Sequence, residues 1–174
     1  MSLEKINETY AWNKQDIFVA EILKRKRNGT YVEIGSNDPK IGNNTYLLEK
    51  NYEWKGLSID IEPGMVNKFN EIRKNKAILA DAVTFNYSKY FEENNFPKQI
   101  DYLQVDIDEG YQINGLPAGN PYSSLHGLMA VPLSNYRFSV ITFEHDANMY
   151  WRNIDIRNVQ REILDSLGYA LVVR

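Results

Sequence analysis

Tyr31-Val32-Glu33-Ile34-Gly35-Ser36-Asn37-Asp38-Pro39 decides how this chain is read. A short, mostly apolar strand runs into a glycine, and a polar turn follows. Glycine there lets the backbone turn sharply and lets a ligand approach it. Asn43-Asn44-Thr45 then offers capping side chains for a helix that reaches about Asn51. Strand, glycine turn and capped helix form the first half of a strand–helix–strand unit.

Outward from that stretch the alternation continues. Upstream, residues 14–27 place Ile17, Phe18, Ala20, Ile22 and Leu23 near a helical stripe. The run Lys24-Arg25-Lys26-Arg27 suits a helix carboxyl terminus better than a nucleic-acid patch. Downstream, Leu57–Ile61 is a second strand, and Pro63 opens a helix at a position proline tolerates. Ala77–Ala80, Ile100–Asp106 and Phe138–Phe143 are the third, fourth and fifth strands. A helix over 155–167 and a last strand from Gly168 to Val173 close the pattern. With right-handed crossovers this predicts a Rossmann-like, doubly wound, mostly parallel sheet in a three-layer α/β/α domain spanning 1–174.

Composition narrows the function. Twenty basic against 23 acidic residues give a net charge of −3, which excludes gripping nucleic acid by counterion release alone. The apolar content of 43% excludes a disordered chain. With no cysteine there is no disulfide scaffold and no thiol nucleophile, and with only His126 and His145 a multi-histidine zinc cage is nearly excluded. Neither a secretion signal nor a membrane-length apolar run is read, so the expected setting is cytoplasmic, without a membrane partner.

In doubly wound sheets, ligands lie beyond the carboxyl ends of the strands. Those ends carry Gly35-Ser36-Asn37, Asp60 and Glu62, Asp81, Asp106 and Asp108, and Glu144-His145-Asp146. Glu33, two residues before Gly35, can accept from an ammonium group. Asp60 can accept from both hydroxyls of a ribose or could instead cap a helix, and Glu62 is the competing candidate for the ribose. Asp81 suits an adenine amino group or a plain turn. Asp106-Ile107-Asp108 and Glu144-His145-Asp146 face each other from neighbouring strands. They fit a general base at His145, an oxygen-rich divalent metal site, or a hydrogen-bonded polar belt. The adjacent carboxylates are expected to favour protonated His145. Arg152, Arg157 and Arg161 read as surface charges, or as a clamp for an acidic substrate. The loop 109–124 is the expected selective element.

The motifs YVEIGSNDP (31–39), NNTYLLEK (43–50), WKGLSIDIEP (54–63), ILADA (78–82), IDYLQVDID (100–108) and FSVITFEHD (138–146) stand in an order and spacing that resembles class I S-adenosylmethionine-dependent methyltransferases, most nearly the FkbM-like ones. The resemblance covers about 31–172. It implies S-adenosylmethionine as cofactor, with Glu33, Gly35, Ser36 and Asn37 at its methionine end. Thr45 would serve the carboxylate, Asp60 and Ile61 the ribose, Asp81 and Ala82 the adenine, and Asp106 the transfer site. His145, Asp108 and Glu144 are then the catalytic candidates. The implied activity is O-methylation of a sugar or other small hydroxylated acceptor. Pro39 departs from the family's usual glycine. The sequence stops at Arg174, just after the strand that precedes the family's final antiparallel strand, so the expectation is either a fragment or a sheet edge covered by another segment or a second copy. Two rivals stand beside this reading: a dinucleotide-binding oxidoreductase, and a non-catalytic assembly domain that keeps the fold.

Overall fold

The computed structural model describes residues 6–107, 122–145, 147 and 153–172. The chain runs α1 (Gln15–Ile22), β1 (Thr30–Ile34), α2 (Tyr46–Tyr52), β2 (Lys55–Asp60), α3 (Pro63–Ile72), β3 (Ala77–Leu79), α4 (Tyr87–Glu93), β4 (Gln99–Val105), α5 (Ser123–Ala130), β5 (Arg137–Phe143) and α6 (Ile154–Ser166). The five strands are parallel and lie in the order β3-β2-β1-β4-β5. The chain therefore builds outward from β1 on one side, then returns to place β4 on the other. The gap between the carboxyl ends of β1 and β4 is the topological switch point. The predicted α/β architecture is the one observed.

Both faces of the sheet are covered, as a parallel sheet requires. On one face Val32, Ile34, Leu57, Ile59, Leu103 and Val105 pack with Tyr87 and Phe91 of α4 and Leu128 of α5. On the other, Tyr31, Tyr102 and Val140 pack with Val19 and Ala20 of α1, Leu48 of α2, and Trp54. Among the described residues no helix is long and apolar enough to cross a membrane.

Two boundaries differ from the sequence reading. The first helix stops at Ile22 rather than 27, because Lys24 and Arg25 adopt positive φ (51° and 56°), and the Arg25 N–H returns to the carbonyl of Ala20. The last strand is not formed over 168–172. Side chains do the tying there instead. The Phe138 N–H, at the start of β5, donates to the Tyr169 hydroxyl at 3.0 Å, and the Arg137 guanidinium lies 3.7 Å from the Tyr169 ring centroid.

Candidate functional site

Strand register lays out the site in rows. Gly56, Tyr31, Tyr102 and Val140 are neighbours across β2, β1, β4 and β5. Two residues on, and so on the same face, come Ser58, Glu33, Gln104 and Thr142. An aromatic and apolar row is thus followed by a wholly polar one, inside a sheet buried on both sides. Two residues further stand Asp60, Gly35, Asp106 and Glu144, the rim of the sheet. Sequence reading singled out the rim and Glu33. It missed Gln104 and Thr142, whose signal was a polar residue two places before each strand-end acid.

Gly35 makes the switch point close-packed. Its φ is +77°, and a Cβ there would fall on the carbonyl oxygen of Asp106. The glycine is needed for the turn, as expected, and it lies against the backbone carbonyl of Asp106, just past β4. The next residue, Ser36, is buried, and its Oγ has no hydrogen-bond partner among the described residues.

Asp60, half-buried at the tip of β2, accepts the Asn37 N–H on Oδ2 at 2.7 Å and the Glu62 N–H on Oδ1 at 2.9 Å. Glu62, exposed, caps α3 by accepting the Gly64 N–H at 3.1 Å. The helix cap is therefore Glu62, and the carboxylate facing the turn after β1 is Asp60. Asp81, also exposed, accepts the Val83 N–H at 2.9 Å and closes its own turn. The carbonyl of Ala82 accepts from the Tyr87 hydroxyl at 2.9 Å. Ile61 stands exposed beside Asp60.

Glu33 and Thr45 are held within the fold. The Glu33 carboxylate accepts from Thr45 Oγ1 at 2.9 Å and Ser58 Oγ at 2.7 Å, and both partners are fully buried. Burial pushes the Glu33 carboxyl up, opposed by the Arg73 charge and by these two hydroxyls. Arg73, just past α3, is the centre of this buried layer, and sequence reading did not single it out. Its Nε donates to Glu49 at 3.0 Å, Nη1 to the Pro39 carbonyl and Asn43 Oδ1 at 3.0 Å each, and Nη2 to Thr45 Oγ1 at 3.0 Å. Asn43, not Thr45, supplies the side-chain cap of α2, accepting the N–H groups of Thr45 and Tyr46. One guanidinium thus fixes the whole loop from Pro39 to Thr45 beneath the switch point.

A cleft of about 200 Å³ opens over the ends of β4 and β5. Gln104, Asp106, Thr142, Glu144 and His145 line it from the sheet, and Asn13, Gln15 and Asn44 from the segments above. His145 departs from expectation. Its pKa is lowered, by burial first and then by the Arg157 and Arg161 charges, which outweigh Glu144. Its Nδ1 accepts the Ala147 N–H at 3.1 Å, so the neutral ring carries its proton on Nε2 and its lone pair is engaged. Asp108, Asp146 and Arg152 lie outside the described residues. Among those described, no group of three or more His, Asp or Glu gathers to hold a metal ion.

No family model matches the chain, and no curated protein does. Among solved structures, a Clostridium thermocellum protein described, provisionally, as an rRNA-methylase is similar at a TM-score of 0.48 and 9% identity, over 75% of this chain and 68% of that one. A likeness of that degree carries no residue role across.

Proposed function

We propose that the protein is an S-adenosylmethionine-dependent methyltransferase that acts on a hydroxyl of a sugar or another small hydroxylated acceptor. The observation that carries the reading is the Asp60 carboxylate fixed against the turn after β1, beside the switch point. The FkbM-like order of motifs supports it from sequence.

The residues present suit such a cofactor on two counts. Each Asp60 oxygen accepts one backbone N–H, while a carboxylate offers about four acceptor sites, which leaves two for the ribose hydroxyls. The buried Ser36 Oγ, unpartnered among the described residues, is a second polar atom at the turn. Asn37 and Ser36 would serve the methionine end, Asp60 with Ile61 the ribose, and Asp81 with Ala82 the adenine. Glu33 and Thr45 would act from below, through the loop they hold. When bound, the cofactor supplies a methyl group on a sulfonium, which takes the acceptor oxygen's lone pair and releases a neutral thioether.

The chain's own contribution is alignment and proton removal. Glu144, an acceptor-only side chain on the cleft wall, takes the hydroxyl proton in this reading. His145 stands beside it as a neutral ring whose Nε2–H is left to donate. Asp106 lines the same cleft from β4, and Asp108 is the next carboxylate along.

The test is incubation with S-adenosylmethionine labelled in its methyl group and a panel of sugars and small alcohols. Label moving to an acceptor, with matching S-adenosylhomocysteine, supports the reading. Cofactor bound but never converted across the panel would favour the assembly-domain rival.

A further inference from the structure

Gln104 is the least explained residue of the sheet. It sits in β4, between β1 and β5, with 2% of its surface exposed, and its Oε1 has no hydrogen-bond partner among the described residues. Its row neighbours are satisfied: Ser58 binds Glu33, and Thr142 pairs with the Tyr102 hydroxyl at 2.7 Å. Asn44, 5% exposed, is in the same condition at Oδ1. Both residues line the cleft over β4 and β5. A buried polar group without a partner bears its full desolvation cost, and native proteins keep few of them without a use.

The other side of the cleft is built with equal care. Asn13 and Gln15 line it from the segment entering α1. That segment is folded by the buried Asp16, which accepts from Thr9 Oγ1 and the Tyr10 N–H at 2.7 Å each and from the Ala11 N–H at 3.3 Å. The carboxamides are therefore carried on fixed backbone.

We infer that this cleft is the acceptor subsite and that Gln104 is its specificity-determining residue, admitting a hydrogen-bond-donating group, a hydroxyl or an amine, and refusing a carboxylate or phosphate. The inference rests on the methyltransferase reading for its role and on the fold alone for its geometry. A carboxamide presents either its oxygen or its NH₂ to a ligand, but the Glu144 carboxylate on the cleft wall can only accept. That wall demands a donor and repels an anion. Arg157 and Arg161, whose charge reaches His145, are not among the lining residues. At about 200 Å³ the cleft has room for one small functionalised group.

The experiment is saturation-transfer NMR on the whole protein with four probes: methyl glucoside and ethanolamine as donors, acetate and methyl phosphate as anions. It is run on wild type and Gln104→Met, a near-isosteric apolar replacement. The inference expects transfer to the two donors in wild type, at least several-fold weaker transfer in the variant, and none to the anions. Transfer to acetate or methyl phosphate at the donors' level, or donor contact surviving in Gln104→Met, overturns it. The thermal midpoint of Gln104→Met is read in parallel and should equal or exceed wild type, since an unpaired amide is lost. A clear drop would make Gln104 a structural residue and sink the assignment. S-Adenosylmethionine titration of both proteins separates the two readings. Cofactor binding without donor-probe contact leaves the methyltransferase reading and removes this one. Donor-probe contact without cofactor binding does the reverse.

Discussion

The backbone N–H of Asn37 donates to Oδ2 of Asp60 at 2.7 Å, so the tip of β2 holds the turn that follows β1. Asn37 itself adopts φ 45°, a left-handed conformation that asparagine tolerates better than most residues. The carboxylate proposed to bind ribose therefore also shapes the loop beside it. Binding and loop order are coupled through one side chain, while the Arg73 layer supports the same loop from beneath.

Arg73 gives the clearest stability prediction. Its side chain is fully buried and that of Glu49 nearly so. Arg73→Met would leave Glu49 buried without its cation and should cost about 3–5 kcal/mol, read by urea denaturation. Arg73→Lys should recover little of this, because an ammonium cannot reach Glu49, the Pro39 carbonyl, Asn43 and Thr45 at once. A loss below about 1 kcal/mol in Arg73→Met would show the layer to be dispensable.

Gly35→Ala tests the switch point. The φ of +77° alone costs roughly 1–2 kcal/mol for a residue with a Cβ. The overlap with the Asp106 carbonyl must then be relieved by moving β1 and β4 apart, which adds to the loss. Unchanged stability in the same urea assay would contradict the packing described.

Glu144 and His145 separate in turnover. Glu144→Gln should lower kcat ~10²–10⁴-fold with cofactor affinity kept, the range for loss of a general base. His145→Ala should cost less than about tenfold, since its lone pair is engaged by Ala147. The opposite ranking would return the base to His145.

The lowered pKa of His145 also makes a pH prediction. In the unfolded chain the ring binds a proton near pH 6.5; in the folded protein it does so only at lower pH. Between those values the unfolded state holds more protons, so stability falls as pH drops below about 6.5. Urea midpoints measured down through that window should show a decline that His145→Gln removes. An identical decline in the variant would assign it to other groups.

The sheet was legible because each strand is a short apolar run that ends in a turn signal, as at Ile34-Gly35 and Ile59-Asp60. The rim residues were legible for the same reason: a strand end is where the apolar pattern stops. The polar row one step in was not, because Ser58, Gln104 and Thr142 lie in different strands, and only register brings them together. Arg73 was hidden likewise; its partners Pro39, Asn43, Thr45 and Glu49 lie 24 to 34 residues away in sequence. The direction of the His145 shift depended on α6, whose arginines reach it only in three dimensions.

Calorimetric titration with S-adenosylmethionine, on wild type, Asp60→Ala and Glu62→Ala, addresses the central claim most directly. Saturable binding to wild type is expected, together with a loss of about 1–3 kcal/mol in Asp60→Ala, roughly 5- to 150-fold in Kd. Glu62→Ala should bind as wild type does, having lost only a helix cap, and NAD should not bind at all. No binding to wild type, or an Asp60→Ala protein with an unchanged Kd, would contradict the account.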